Sequence, residues 1–198
     1  MDAVRVALLR EVLAGTEWLG ATRRFAAVLR ASVVSHGGGL LLAGSAAYEP
    51  WHLAAHLVDE AAWSGTPELA PTLVRHDARP GDPAHLAVGL GRIEAARRGE
   101  TLLVASPSGD APLLERVSDA RRAGVLVLAL GPAEDELAAL AHESLAVPDG
   151  SELDLDTVQH LVSAAAGETP APTRGRRRLA DRLSHLAERL TAPPPPPW

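Results

Sequence analysis

Residues 101–130, TLLVASPSGDAPLLERVSDARRAGVLVLAL, decide the fold. Residues 101–105 open on Thr101 and continue as a short apolar run that breaks into Ser106-Pro107-Ser108-Gly109-Asp110. Residues 112–123 then keep helical spacing, Gly124 stops them, and residues 125–130 form a second apolar run. Strands apolar along their whole length have both faces covered, which is the mark of a parallel sheet between two helical layers. The segment reads as strand, helix, strand.

The same unit recurs on either side. Upstream, Gly37-Gly38-Gly39 ends a helical region (residues 4–13 and 18–34), and Leu40-Leu41-Leu42-Ala43 runs into Gly44-Ser45. Residues 50–60 follow as helix, then a weak strand at Leu73-Val74 and a helix over 83–98. Downstream come a short helix at 134–141, a last strand at 144–147 and a closing helix at 153–166. Alternation of this kind predicts an α/β fold: a doubly wound, Rossmann-like, five-stranded parallel sheet flanked by helices, over residues 1–167. Residues 168–198 form a second region of Pro-rich linker, basic amphipathic helix and polyproline tail. Leu179, Leu183, Leu186 and Leu190 give that helix a heptad-like stripe, a docking face for a protein partner.

Composition removes whole classes of chemistry. The chain has 198 residues and no cysteine, so disulfides, thiolate metal sites and a cysteine nucleophile are excluded. All 19 basic residues are Arg, so no Schiff-base or P-loop lysine exists. A net charge of −6 argues against nucleic acid as a partner. Arg5, Arg10 and Glu11 break up the opening apolar stretch, and no run is long enough for a bilayer. The expected setting is cytoplasmic, with no membrane partner.

In an open parallel sheet, ligands collect at the carboxyl ends of strands, against helix N-termini. Two loops stand there, one around Gly44-Ser45 and one at residues 106–110. Both offer hydroxyls and free backbone N–H groups, which hold an anion without a cationic side chain. Ser, Gly and Asp are also the ordinary residues of turns and caps, so an unliganded strand–helix turn stays open as a reading.

These segments resemble the sugar isomerase (SIS) domain family, and within it the phosphoheptose isomerase group. Residues 31–57, ASVVSHGGGLLLAGSAAYEPWHLAAHL, are similar to that group's helix, glycine turn, strand and serine loop. Residues 101–130 are similar to its strand, serine–glycine loop, helix and strand. The resemblance implies a sugar phosphate as ligand, with Ser45, Ser106, Ser108 and Gly109 as its binding residues. It also implies a homodimer, or a tetramer of dimers. Several residues depart from the pattern: Ala111 stands where a hydroxyl is common, and Asp110 adds an anion beside the phosphate position.

Catalysis by the group's mechanism needs a glutamate base on the helix after the first loop, where this chain has His56, and a late histidine, near Gly167, which is missing. His56 is the candidate catalytic residue. His52 and His56 also share a helix face at i and i+4 and would hold zinc if Gln159 or His160 of the closing helix joined them. Exposed histidines on an amphipathic helix are the alternative. Binding itself requires no cofactor. Three readings stand: a phosphosugar-binding, regulatory module with a degenerate catalytic set, an active sedoheptulose 7-phosphate-type aldose–ketose isomerase, and a dimeric adaptor that binds no small ligand.

Overall fold

The computed structural model describes residue 11 and residues 13–133, 135–147 and 153–168. The helix expected over residues 4–13, nearly all of it, and the linker, basic helix and polyproline tail beyond residue 168 lie outside these. The elements in chain order are α1 (Glu17–His36), β1 (Leu40–Ala43), α2 (Trp51–Ser64), β2 (Pro71–Val74), α3 (Gly91–Glu94) and β3 (Thr101–Ala105). They continue with α4 (Ala111–Arg122), β4 (Leu126–Gly131), α5 (Glu136–Leu140), β5 (Glu143–Ala146) and α6 (Leu155–Gly167). The five strands are parallel, in the order β2-β1-β3-β4-β5.

Pleating splits β1, β3 and β4 between two cores. Leu40, Leu42, Leu103, Ala105, Leu128 and Leu130 face Phe25, Leu29, Leu53, Leu57, Leu161 and Val162 of α1, α2 and α6. Their neighbours Leu41, Ala43, Leu102, Val104, Val127 and Ala129 face Ile93, Leu113, Val117 and Leu137 of α3, α4 and α5. A side-chain period of two with no polar position is what a strand covered on both sides requires. The sheet is doubly wound, as expected.

Residues 83–98 are the main correction. Only α3, a single turn, is helical there, because Pro83, Gly89 and Gly91 interrupt the pattern. The preceding loop is held from outside: Arg75 N–H donates to Val88 O at 2.8 Å, and Arg75 Nη1 reaches Leu86 O at 3.3 Å. The helix expected to close at residue 60 runs on to Ser64, and Pro50 is its N-cap. β2 begins two residues before Leu73, on an edge where Pro71 needs no ladder donor. Phe25, Leu29 and Val33 of α1 are fully buried in the core.

Candidate functional site

Strand order reverses between β1 and β3, and that switch point opens a crevice at the carboxyl ends of the two strands. The loops after these strands form its walls. In the first, β1 ends at Ala43 and the chain turns back on itself, with Tyr48 N–H donating to Ser45 O at 3.1 Å. Gly44 packs so closely under this turn that a Cβ there would lie 1.9 Å from Tyr48 O. Ser45 is buried, and its Oγ has no hydrogen-bond partner among the described residues.

In the second loop Ser106 is fully buried and its hydroxyl is spent locally. Oγ donates to Ser108 O at 2.6 Å and accepts from Ser108 N–H at 3.3 Å. Ser108 itself is exposed. Gly131 at the end of β4 lets this loop lie against it, since a Cβ there would meet Ser106 O at 2.3 Å. Asp110 is the N-cap of α4, with Oδ1 accepting from Leu113 N–H at 2.9 Å. Its Oδ2 crosses the crevice and accepts from Ala46 N–H at 2.8 Å. Asp135, the N-cap of α5, accepts from Gly109 N–H at 2.9 Å.

Backbone N–H groups on both loops therefore already hold carboxylates. The anion-binding chemistry expected of these loops operates within the chain itself, with Asp110 and Asp135 as the anions. Asp110, expected beside the phosphate as a repelling charge, is in addition the bond that joins the loops.

A second set of residues braces the first loop from outside. Glu49 accepts from Arg75 Nε at 3.1 Å and from His76 N–H at 3.3 Å, and His76 Nε2 lies 2.9 Å from Gly44 O. The Arg75 guanidinium stacks over Trp51, 4.8 Å from the ring centre. Tyr48 ties the same loop to α6: its hydroxyl donates to Asp156 Oδ1 at 2.6 Å and accepts from Gln159 Nε2 at 2.6 Å. Burial, and next the Asp156 carboxylate, push the Tyr48 phenol up to about 12. Sequence reasoning missed Glu49, Arg75, Asp135 and Asp156 as parts of the site. Each acts through a partner distant in sequence, and no local motif announces them.

Three histidines meet where α2 packs on α6. Ring centres are 4.6 Å apart for His52 and His56, 4.5 Å for His52 and His160, and 4.4 Å for His56 and His160. His52 is exposed; His56 and His160 are buried. Both ring nitrogens of His56 are buried with no hydrogen-bond partner among the described residues. Burial, then the His160 and His52 rings, lower its pKa to about 4, so it is neutral at pH 7. So weak a base is poorly matched to proton abstraction near neutral pH. Gln159 commits its amide nitrogen to Tyr48, and its carbonyl oxygen is buried without a hydrogen-bond partner among the described residues.

Asp154 starts α6 and so fixes the pitch on which Asp156, Gln159 and His160 are carried; its Oδ1 accepts from Thr157 N–H at 2.7 Å. Asp154→Ala is expected to cost about 1 kcal/mol, with Asp154→Asn close to neutral. Urea denaturation of the three proteins checks this.

Away from the crevice, an apolar groove of about 740 Å³ runs along the β2 edge between Trp51, Val58, Leu73, Leu86 and Val88. No described helix is long and apolar enough to cross a membrane.

No protein-family model matches the chain, and no curated protein matches it. Among solved structures it is similar to the sugar isomerase domain of an RpiR transcription factor from Sphaerobacter thermophilus. That pair is 15% identical over 83% of this chain and 86% of the other, with a TM-score of 0.47. It is also similar to the Vibrio vulnificus NanR protein, solved in complex with ManNAc-6P: 14% identity, 98% of this chain, 77% of the other, TM-score 0.48. Neither likeness bears on what this chain binds. What the topology and crevice define is a class: a doubly wound α/β domain with an anion-suited switch point.

Proposed function

We propose that the protein is a phosphosugar-binding module of the sugar isomerase type, regulatory rather than catalytic, that binds its ligand's phosphate between Ser45 and the loop at residues 106–109. One observation carries the reading: at the switch point, N–H groups of two facing loops hold carboxylates while the buried Ser45 hydroxyl has no hydrogen-bond partner among the described residues. A phosphate takes the place of the Asp110 carboxylate on Ala46 and gives Ser45 Oγ an acceptor. Binding in this reading needs no cofactor. Isomerisation of sedoheptulose 7-phosphate is the weaker alternative, because His56 stands where the glutamate base is expected and Gly167 where the late histidine is.

Asp110→Asn tests the proposal. Asn still caps α4 but removes a charge a few ångströms from the phosphate, worth about 1.4 kcal/mol at a dielectric between bulk water and a protein surface. Calorimetric titration with hexose and heptose phosphates is expected to show binding that tightens about tenfold in the variant. No binding to either protein at millimolar ligand would reject the reading. It would favour the adaptor, in which Asp110 and Asp135 fill the anion positions for good.

Copies are proposed to pair as a homodimer, or a tetramer of dimers. Trp63, Val58 and Trp51 on α2 support this, exposing 65%, 49% and 41% of their surface. Residues 168–198 are left for a protein partner. Light scattering on the full chain checks the pairing, and a monomer at micromolar concentration would reject it.

A further inference from the structure

The chain carries one short motif twice: Arg97-Arg98-Gly99 before β3 and Arg121-Arg122-Ala123-Gly124 before β4. Pairing of β3 with β4 brings both to one pole of the sheet, opposite the crevice. The five residues of β3, at about 3.3 Å each, keep the two ends about 16 Å apart. Three of the four guanidinium groups are committed locally. Arg97 Nη1 donates to Glu94 O and Ala96 O, at 3.2 and 2.9 Å, and Arg121 Nη1 to Ala139 O and Leu140 O, at 3.2 and 2.6 Å. These serve the open carbonyls at the C-terminal ends of α3 and α5. Arg122 pairs with Asp119.

Arg98 differs. It is exposed, has no hydrogen bond or ion pair among the described residues, and lies over the Gly124 turn, where a Cβ would come to 3.4 Å from its Nε. With Glu100, Gly124, Val125, Leu126 and His142 it lines a cavity of about 260 Å³. Glu100 is engaged on both oxygens, one on Arg92 and the other on Arg97 N–H at 2.7 Å. His142 Nδ1 accepts from Val127 N–H at 3.0 Å, so the neutral ring carries its proton on Nε2 and offers a donor. Backbone N–H groups of Glu100, Gly124, Val125 and Leu126 are bonded within the chain. The lining side chains therefore leave two donors open, Arg98 and His142 Nε2, and no free carboxylate.

We propose that this cavity is a second anion site, taking the carboxylate or phosphate group of a small acid, with Arg98 as its fork and His142 as a second donor. A guanidinium matches two oxygens of either group with two parallel N–H bonds. Val125 and Leu126 give the ligand's carbon stem an apolar wall. The volume is that of about nine waters at liquid density, room for a head group and a few carbons. The inference is independent of the phosphosugar reading, because no residue of the loops at 44–47 or 106–110 lines the cavity.

The test is an amide-resonance titration of the ¹⁵N-labelled full chain with succinate and, separately, with inorganic phosphate, at constant ionic strength. Saturable shifts are expected at Gly99, Gly124 and Leu126, with a Kd in the millimolar range or tighter, and the tighter probe identifies the head group. Arg98→Ala should weaken that binding at least tenfold, as loss of a charge-assisted bond implies. Arg24→Ala, which removes an exposed arginine of α1 with the same change of charge, should leave it unaltered. Both are surface changes and should melt within about 2 °C of the parent, which separates lost binding from misfolding. Shifts confined to Ala46, Ser108 and Gly109 would place the anion in the crevice and overturn the second site. No shift with either probe at tens of millimolar, or shifts that Arg98→Ala retains, would overturn it equally.

Discussion

Gly44→Ala is expected to cost about 3 kcal/mol or more, at the severe end for added core volume. The added Cβ would lie 1.9 Å from Tyr48 O and 2.7 Å from Pro50 Cδ, so backbone has to move. The move cannot stay local. Gly44 O is bonded to His76, Ser45 sits in the turn the glycine supports, and Tyr48 is anchored on α6. The loop would lose its register against the second loop as well as stability. On a marginal total of 5–15 kcal/mol this is a large fraction, and Tm should fall by roughly 6–12 °C. Gly91→Ala is the matched control, because nothing lies within 4 Å of a Cβ there; it should change stability by less than about 0.5 kcal/mol. Equal melting of the parent and Gly44→Ala would contradict the packing described.

Arg75→Ala is expected to cost about 2–3 kcal/mol, and Arg75→Lys to recover little of it. The side chain is only 17% exposed, and its guanidinium serves Glu49, Asp82 and the Leu86 carbonyl while stacking on Trp51. A planar fork can do all of this at once; an ammonium cannot. Removing it strands two partly buried carboxylates. The consequence should concentrate at residues 76–90, the loop that Arg75 gathers, so limited proteolysis of Arg75→Ala should cut there first. Cleavage spread evenly over the chain would count against this role.

The same arginine shows where sequence reading stops. β3 and β4 are legible because every position but Thr101 is apolar, and only a strand covered on both faces wants that pattern. β1 is legible for the same reason. Residues 83–98 look helical in spacing, yet their conformation depends on Arg75 and on glycines and prolines that outweigh weak periodicity. Half of β2 is hidden because an edge strand tolerates Pro71 and an exposed Thr72.

The site divides likewise. Its serine and glycine loops are visible, since the junction from strand to helix is local chemistry. That Gly109 N–H holds Asp135, 26 residues on, is invisible until β3 and β4 stand side by side. His52 and His56 are a pair by helical spacing alone. His160 joins them only through the packing of α6 on α2, while Gln159, an equal candidate from sequence, turns its amide nitrogen to Tyr48.

The switch-point crevice between the β1 and β3 loops is proposed to take the phosphate of a sugar phosphate. The most direct measurement is an amide-resonance titration of the ¹⁵N-labelled chain with sedoheptulose 7-phosphate and hexose phosphates, inorganic phosphate as reference. The predicted result is a saturable shift largest at Ala46, Ser108 and Gly109, the amides that line the crevice. Shifts confined to other surfaces, such as the groove along β2, or no shift at millimolar ligand, would contradict it.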